Sequence, residues 1–129
     1  MTDRGLAASD RRRILIVDGE RVIRESMRAI LEREGYDVMS EATAESGLTT
    51  AQTWPPDVLI AEIILPGSDG MDFAISIAKT YPQCRIILLA AQVGQSLIDK
   101  AVILGFDFFY KPVAPAVLLA RLKVLLDAV

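Results

Sequence analysis

The sequence predicts an α/β fold: a doubly wound, five-stranded parallel sheet with helices on both faces, a (βα)5 three-layer sandwich. From Ile14 onward, short apolar runs alternate with longer segments of helical period, as in βαβ units wrapped around a parallel sheet. Three of those runs are apolar almost throughout, which suits strands covered on both faces. The chain has 129 residues, 52% of them hydrophobic, enough for one core and too few for two.

Residues 1 to 13 are polar and lack periodicity. They read as a flexible lead-in whose Arg11, Arg12 and Arg13 form a solvated flank, with the domain spanning 14 to 129. The strands are expected at ILIV (14 to 17), DVMS (37 to 40), DVLIAE (57 to 62), RIILLA (85 to 90) and DFFY (107 to 110). A first helix from 20 to 34 places Val22, Ile23, Met27, Ile30 and Leu31 on one stripe, and Gly35 follows as a C-cap. The second, from 43 to 53, carries Ala44, Leu48 and Ala51 on one face and is stopped by Pro55-Pro56. Met71, Ala74, Ile75 and Ala78 mark the third, which Pro82 follows. A fourth, from 95 to 104, ends at Gly105, and Pro115 opens the fifth at its first helical position. Crossovers between parallel strands are right-handed almost without exception, so these units place helices on both sheet faces.

Composition removes several function classes. With no histidine, a Ser-His or Cys-His triad, a histidine metal site and a phosphohistidine carrier are all excluded. A net charge of −3 repels polyanions, so direct nucleic-acid binding is not expected. The single cysteine, Cys84, lies in the apolar run CRIILLAA and reads as a small buried hydrophobe. That usage suits a reducing compartment. No apolar segment reaches the roughly 18 residues of a membrane span, and no signal peptide is apparent, so a cytoplasmic location is expected.

Ligands of open parallel sheets bind outside the carboxyl ends of the strands. The residues to interrogate there are Asp18, Glu62, Ala90 and Lys111. Two carboxylates and an ammonium at one edge can hold a divalent cation, position a phosphoryl group, or form a plain buried salt bridge. Spacing alone leaves these readings open.

Five segments carry a resemblance: ILIVDGE, LEREGYDV, PPDVLIAEIILPGSDG, RIILLAA and YKPV. Together they resemble the receiver domains of bacterial response regulators, the signalling modules of two-component phosphorelays, over about Ile14 to Ala128. The resemblance implies a flavodoxin-like fold and, in a family member of ordinary pattern, a phospho-accepting aspartate ending the third strand. It further implies Mg²⁺ held by two acids after the first strand, a Thr or Ser after the fourth, and a lysine after the fifth. Asp18 and Lys111 match, and Phe108 falls at the switch position of a rotameric aromatic residue.

Elsewhere the chain departs from the pattern. Gly19 replaces the second metal-binding acid, Glu62 the phospho-acceptor, and Ala90, a second switch position, the hydroxyl residue. The segment from Gly105 to Lys111 is also about one residue short, around Phe106 and Asp107. What remains of the metal set is Asp18 with Glu62 and the Ile64 backbone carbonyl, so Mg²⁺ should bind weakly or the site be vestigial. Glu20 is expected to favour the helix N-terminus as a first-turn acid rather than to serve as a ligand. Losing metal and hydroxyl removes charge neutralisation from a transferring phosphoryl group. The extra methylene of Glu62 advances its oxygen by ~1.5 Å in a site sensitive to ~1 Å.

The leading expectation is an atypical, phosphorylation-independent receiver that acts through protein partners such as a sensor kinase or output protein and is not an enzyme. The alternative is a conventional phospho-accepting receiver using Glu62 with weak Mg²⁺-dependent transfer. A flavodoxin-like cofactor binder is disfavoured, because the chain has no Gly-rich fingerprint after the first strand and no P-loop. The fourth and fifth helices hold more apolar residues than one face can bury. Leu97, Ala101 and Leu104 are expected to face inward, Ile98 and Val102 outward. That surplus predicts a homodimer or an obligate partner on the face formed with the fifth strand.

Overall fold

The computed structural model describes residues 11 to 127, so the expected lead-in up to position 10 lies outside the described residues. In chain order the elements are β1 (Arg13–Val17), α1 (Arg21–Arg33), β2 (Asp37–Glu41), α2 (Ala44–Thr53) and β3 (Val58–Glu62). A short hairpin follows, β4 (Ile64–Leu65) and β5 (Ser68–Asp69). The chain continues through α3 (Gly70–Thr80), β6 (Arg85–Ala90), α4 (Gln95–Ile103), β7 (Asp107–Tyr110) and α5 (Pro115–Asp127). The main sheet is parallel throughout, in the order β2-β1-β3-β6-β7.

Alternation along each strand builds two cores. Leu15, Val17, Leu59, Ala61, Leu88 and Ala90 point to the side covered by α2, α3 and α4. Ile14, Ile16, Val58, Ile60, Ile87 and Leu89 point to the other side, where Met27 and Leu31 of α1 meet Leu118, Leu122 and Leu126 of α5. Strands apolar on both faces thus follow directly from having helices on both faces. The chain leaves β1 for β2 on one side and returns to β3 on the other, so the switch point lies between the carboxyl ends of β1 and β3.

Several details differ from the pattern-based expectation. β1 begins at Arg13, one residue early, with Arg13 over the Trp54 ring at 5.3 Å. The Arg12 guanidinium donates to the Leu126 carbonyl and Arg11 pairs with Asp37, so the basic flank is tethered to the domain. Val22 is not part of the buried stripe of α1; it is 79% exposed. In α2 the inward position taken for Leu48 belongs to Gly47, because an added Cβ there would lie 2.9 Å from Val17 and 3.0 Å from Phe73. Leu104, expected inward, is exposed, while Ile98, expected outward, is half-buried. The segment from Gly105 to Lys111 is held by Phe106 N–H donating to the Ala101 carbonyl and by an Asp107–Arg121 ion pair.

Cys84 is buried and free, and burial pushes its thiol up to about 12. Among the described residues, no helix is long and apolar enough to cross a membrane. Leu122 is fully buried where α5 meets the sheet. Leu122→Ala should lower unfolding stability by about 2–5 kcal/mol, the range for truncating a core leucine. Urea titration of both proteins measures it, and a loss well under 1 kcal/mol would contradict this account of the core.

Candidate functional site

Because every strand of the main sheet is parallel, all their carboxyl ends open on one edge. Asp18 follows β1 and is only 1% exposed. Its backbone N–H donates to the Glu41 carbonyl, and its Oδ1 accepts from the Glu20 N–H at 2.8 Å. This tight turn aims residue 20 back at the cleft. Glu62 ends β3 and Lys111 follows β7, anchored by its N–H on the Ala90 carbonyl at 2.9 Å. The Lys111–Pro112 peptide is cis.

The Lys111 ammonium lies 3.0 Å from Asp18 Oδ2, 2.6 Å from Glu20 Oε1 and 3.1 Å from Glu62 Oε2. An ammonium has three N–H donors, and here three carboxylates accept them. Burial disfavours the Lys111 charge, but the hydrogen bonds it donates to Glu20, Asp18 and Glu62 outweigh it and raise the pKa above the ordinary lysine value. Glu62 is also shifted upward, by burial first and by the charge of Asp18, against the lowering pull of Lys111. Both directions are consistent, since a lysine shared with two other carboxylates does not fully offset the desolvation of Glu62.

Asp18, Glu62 and Lys111 are therefore brought together as the strand ends suggested. Two further residues were missed. Glu20 is the N-cap of α1 but makes no side-chain cap bond; contrary to expectation, its carboxylate turns to Lys111. Arg24, one turn further on, donates to the Asp18 carbonyl at 2.8 Å and adds a second cation behind the cluster. The ILIVDGE segment held the Glu20 signal, but only the Asp18 turn reveals which way that side chain points.

Position 19 is closed on one side: a Cβ on Gly19 would lie 3.0 Å from the Pro66 ring. Pro66 is held there by the β4–β5 hairpin, whose Gly67 takes φ +66, a left-handed conformation that suits glycine. Gly70 closes the same loop, since its N–H bonds the Ile63 carbonyl and an added Cβ would sit 2.0 Å from the Glu62 carbonyl oxygen. Ile64, whose carbonyl was expected in the metal set, opens β4 with its side chain exposed. Ala90 and Phe108 lie outside the charged group. Ala90 is buried and Phe108 packs against the same core, edge-on to Tyr110 at 4.9 Å.

The sheet order, the acids at the ends of β1 and β3 and the Lys-Pro pair define a receiver-type signalling module. The chain belongs to the response regulator receiver domain family, whose model matches residues 14–123. It is similar to a CheY-like receiver domain protein from Methanospirillum hungatei JF-1, with 32% identity, 92% of this chain and 96% of that one covered, and a TM-score of 0.87. A response regulator from Chloroflexus aurantiacus J-10-fl gives 29% identity, coverage of 92% and 99%, and a TM-score of 0.81. The Vibrio cholerae chemotaxis protein CheY4 gives 25% identity, coverage of 90% and 99%, and a TM-score of 0.82. The chain is thus the receiver domain of a two-component response regulator.

Receiver domains commonly bind Mg²⁺ through an acidic cluster, and here oxygens of Asp18, Glu20 and Glu62 lie within 4.8 Å of one another. The donor chemistry suits a hard cation. The Lys111 ammonium already lies against one oxygen of each of these carboxylates and position 19 supplies no side-chain ligand, so a cation there would share its ligands with Lys111.

Lys111→Met leaves Asp18 buried without its partner, and should cost about 3–5 kcal/mol, as for breaking one side of a buried ion pair. Chemical unfolding reads this directly, and a change within about 0.5 kcal/mol would refute the pairing. A pH dependence follows from Glu62. Its folded pKa is raised, so the folded state holds a proton that the unfolded chain releases. Glu62 therefore favours folding most below its unfolded pKa, and that contribution declines as pH rises toward the folded value. Unfolding midpoints of wild type and Glu62→Gln, compared across the acid range, should diverge in that sense; parallel curves would exclude it.

Proposed function

We propose that this chain is an atypical receiver that signals by protein–protein contact, without phosphorylation. The observation that carries the reading is Glu62, at the phospho-acceptor position, with its carboxylate 3.1 Å from Lys111. The pair stands where a phosphoryl oxygen and lysine would meet, so Glu62 acts as a partial, built-in phosphate mimic. Ala90 supports this, because it offers no hydroxyl to a phosphoryl group and leaves Phe108 packed against the core. The module is not an enzyme, binds Mg²⁺ weakly, and works in the cytoplasm against a sensor kinase or an output protein. Incubation with acetyl phosphate and Mg²⁺ should leave the intact mass unchanged. A gain of one phosphoryl group on Glu62 would instead establish conventional receiver chemistry.

The partner face is the one formed by α4, β7 and α5. Val102 is 68% and Ile103 83% exposed on α4, with Leu104 beside them and Tyr110 ending the sheet's edge strand. On α5, Val117 and Val124 flank Arg121 at helical spacing, and Arg121 is held by Asp107 of β7, so both valines lie on the β7 side. Scattered apolar residues are ordinary on a surface, but exposed ones on three neighbouring elements support a contact area there. The expected occupant is a second copy or an obligate partner, with about 800 Å² buried on each side. Light scattering at high micromolar concentration should give a dimer that Val102→Glu dissociates; a monomer indifferent to that substitution would exclude self-association.

A further inference from the structure

We infer that Glu20 is a positioning residue that locks Lys111 into an internal ion cage, so that the cleft carries its own counter-cation in place of a divalent metal. The inference deepens the phosphorylation-independent reading and rests on it. Glu20 makes the shortest of the three lysine contacts, 2.6 Å, although its carboxylate is the most exposed of the three, at 60% against 1% for Asp18 and 14% for Glu62. Its direction is set by its own backbone N–H, which donates to Asp18 Oδ1 and folds the turn so that the side chain emerges over Lys111. That leaves the N-terminus of α1 without a side-chain cap.

The cage replaces the acid that Gly19 lacks. A side chain at 19 would press on the Pro66 ring, whereas Glu20 reaches the cluster from the outer side. With three acceptors on three donors the ammonium is saturated, and its side chain is only 7% exposed. No donor is left over for an incoming phosphoryl oxygen. A cation would have to share all three carboxylates with the ammonium, and Arg24 lowers the residual negative potential from behind. A phosphoryl oxygen must displace one of the three acceptors, of which Glu20 makes the shortest contact, and a cation must compete with the ammonium for the same carboxylates.

The test uses two readouts. The first is exchange of the Lys111 ammonium protons with water, followed by NMR on ¹⁵N-lysine-labelled protein. It should be slow in wild type and at least about tenfold faster in Glu20→Ala, equivalent to one decade in an opening equilibrium. The second is Mn²⁺ titration, followed by paramagnetic broadening of the amides of Asp18, Glu62 and Ile63. Wild type should stay sharp through ~1 mM, the weak end of carboxylate cation sites, while Lys111→Met should broaden below it. Unchanged ammonium exchange in Glu20→Ala overturns the cage, as does equal broadening in wild type and Lys111→Met. Glu20→Ala alters a largely solvated side chain and carries the test by itself where Lys111→Met does not fold. The phosphodonor experiment is separate: a phosphorylated Glu62 defeats the functional reading, whereas fast ammonium exchange in wild type defeats the cage alone.

Discussion

The ammonium of Lys111 ties together the turn after β1, the end of β3 and the end of β7, and much of the cleft depends on its staying charged. Asp18 is almost fully buried, and a buried carboxylate without a cation would be neutralised or would expel itself from the core. Lys111 removes that penalty while its own charge is held by three acceptors. Parallel pairing makes the meeting unavoidable, because β1, β3, β6 and β7 run in the same direction and deliver their following residues to one edge.

Around that group, the neighbouring residues fit one another. The Pro66 ring leaves little room for a side chain at Gly19, and the hairpin that carries Pro66 depends on Gly70 lying flat against the Glu62 carbonyl. Ala90 and Phe108 belong to a single apolar cluster, so the part of the cleft edge where a hydroxyl would stand is continuous with the core. Under the proposed reading, an exchangeable, ligand-driven switch has become a fixed arrangement of side chains. Its influence on partners then comes from the surface it holds in place.

The two faces of the sheet explain where such a surface is available. Both helical layers bury their stripes against strands, but β7 is an edge strand, and α4 and α5 beside it are covered only from within. Residues such as Val102, Ile103 and Val124 thus remain in water although they are apolar. At the opposite edge, β2 is flanked by charged Asp37 and Glu41, which discourages the same use.

The five sheet strands and five helices were legible in the sequence to within a residue or two at most ends, because periodicity of 2 or 3.6 is a local property of side chains that must be buried. So were Asp18, Glu62, Ala90 and Lys111 as strand-end residues, since strand ends of a parallel sheet converge whatever the side chains are. The β4–β5 hairpin was not legible, being two residues a side and lacking a hydrophobic period. Nor were the inward place of Gly47, the exposure of Val22 and Leu104, or the parts taken by Glu20 and Arg24. Two of those depend on a neighbour distant in sequence: Phe73 for Gly47, Lys111 for Glu20. Sequence alone determined which residues reach the cleft edge, through a pattern each segment carries by itself. Tertiary structure decided which of them touch, because a side chain's direction is set by a turn's hydrogen bonds and by the charge it finds across the sheet.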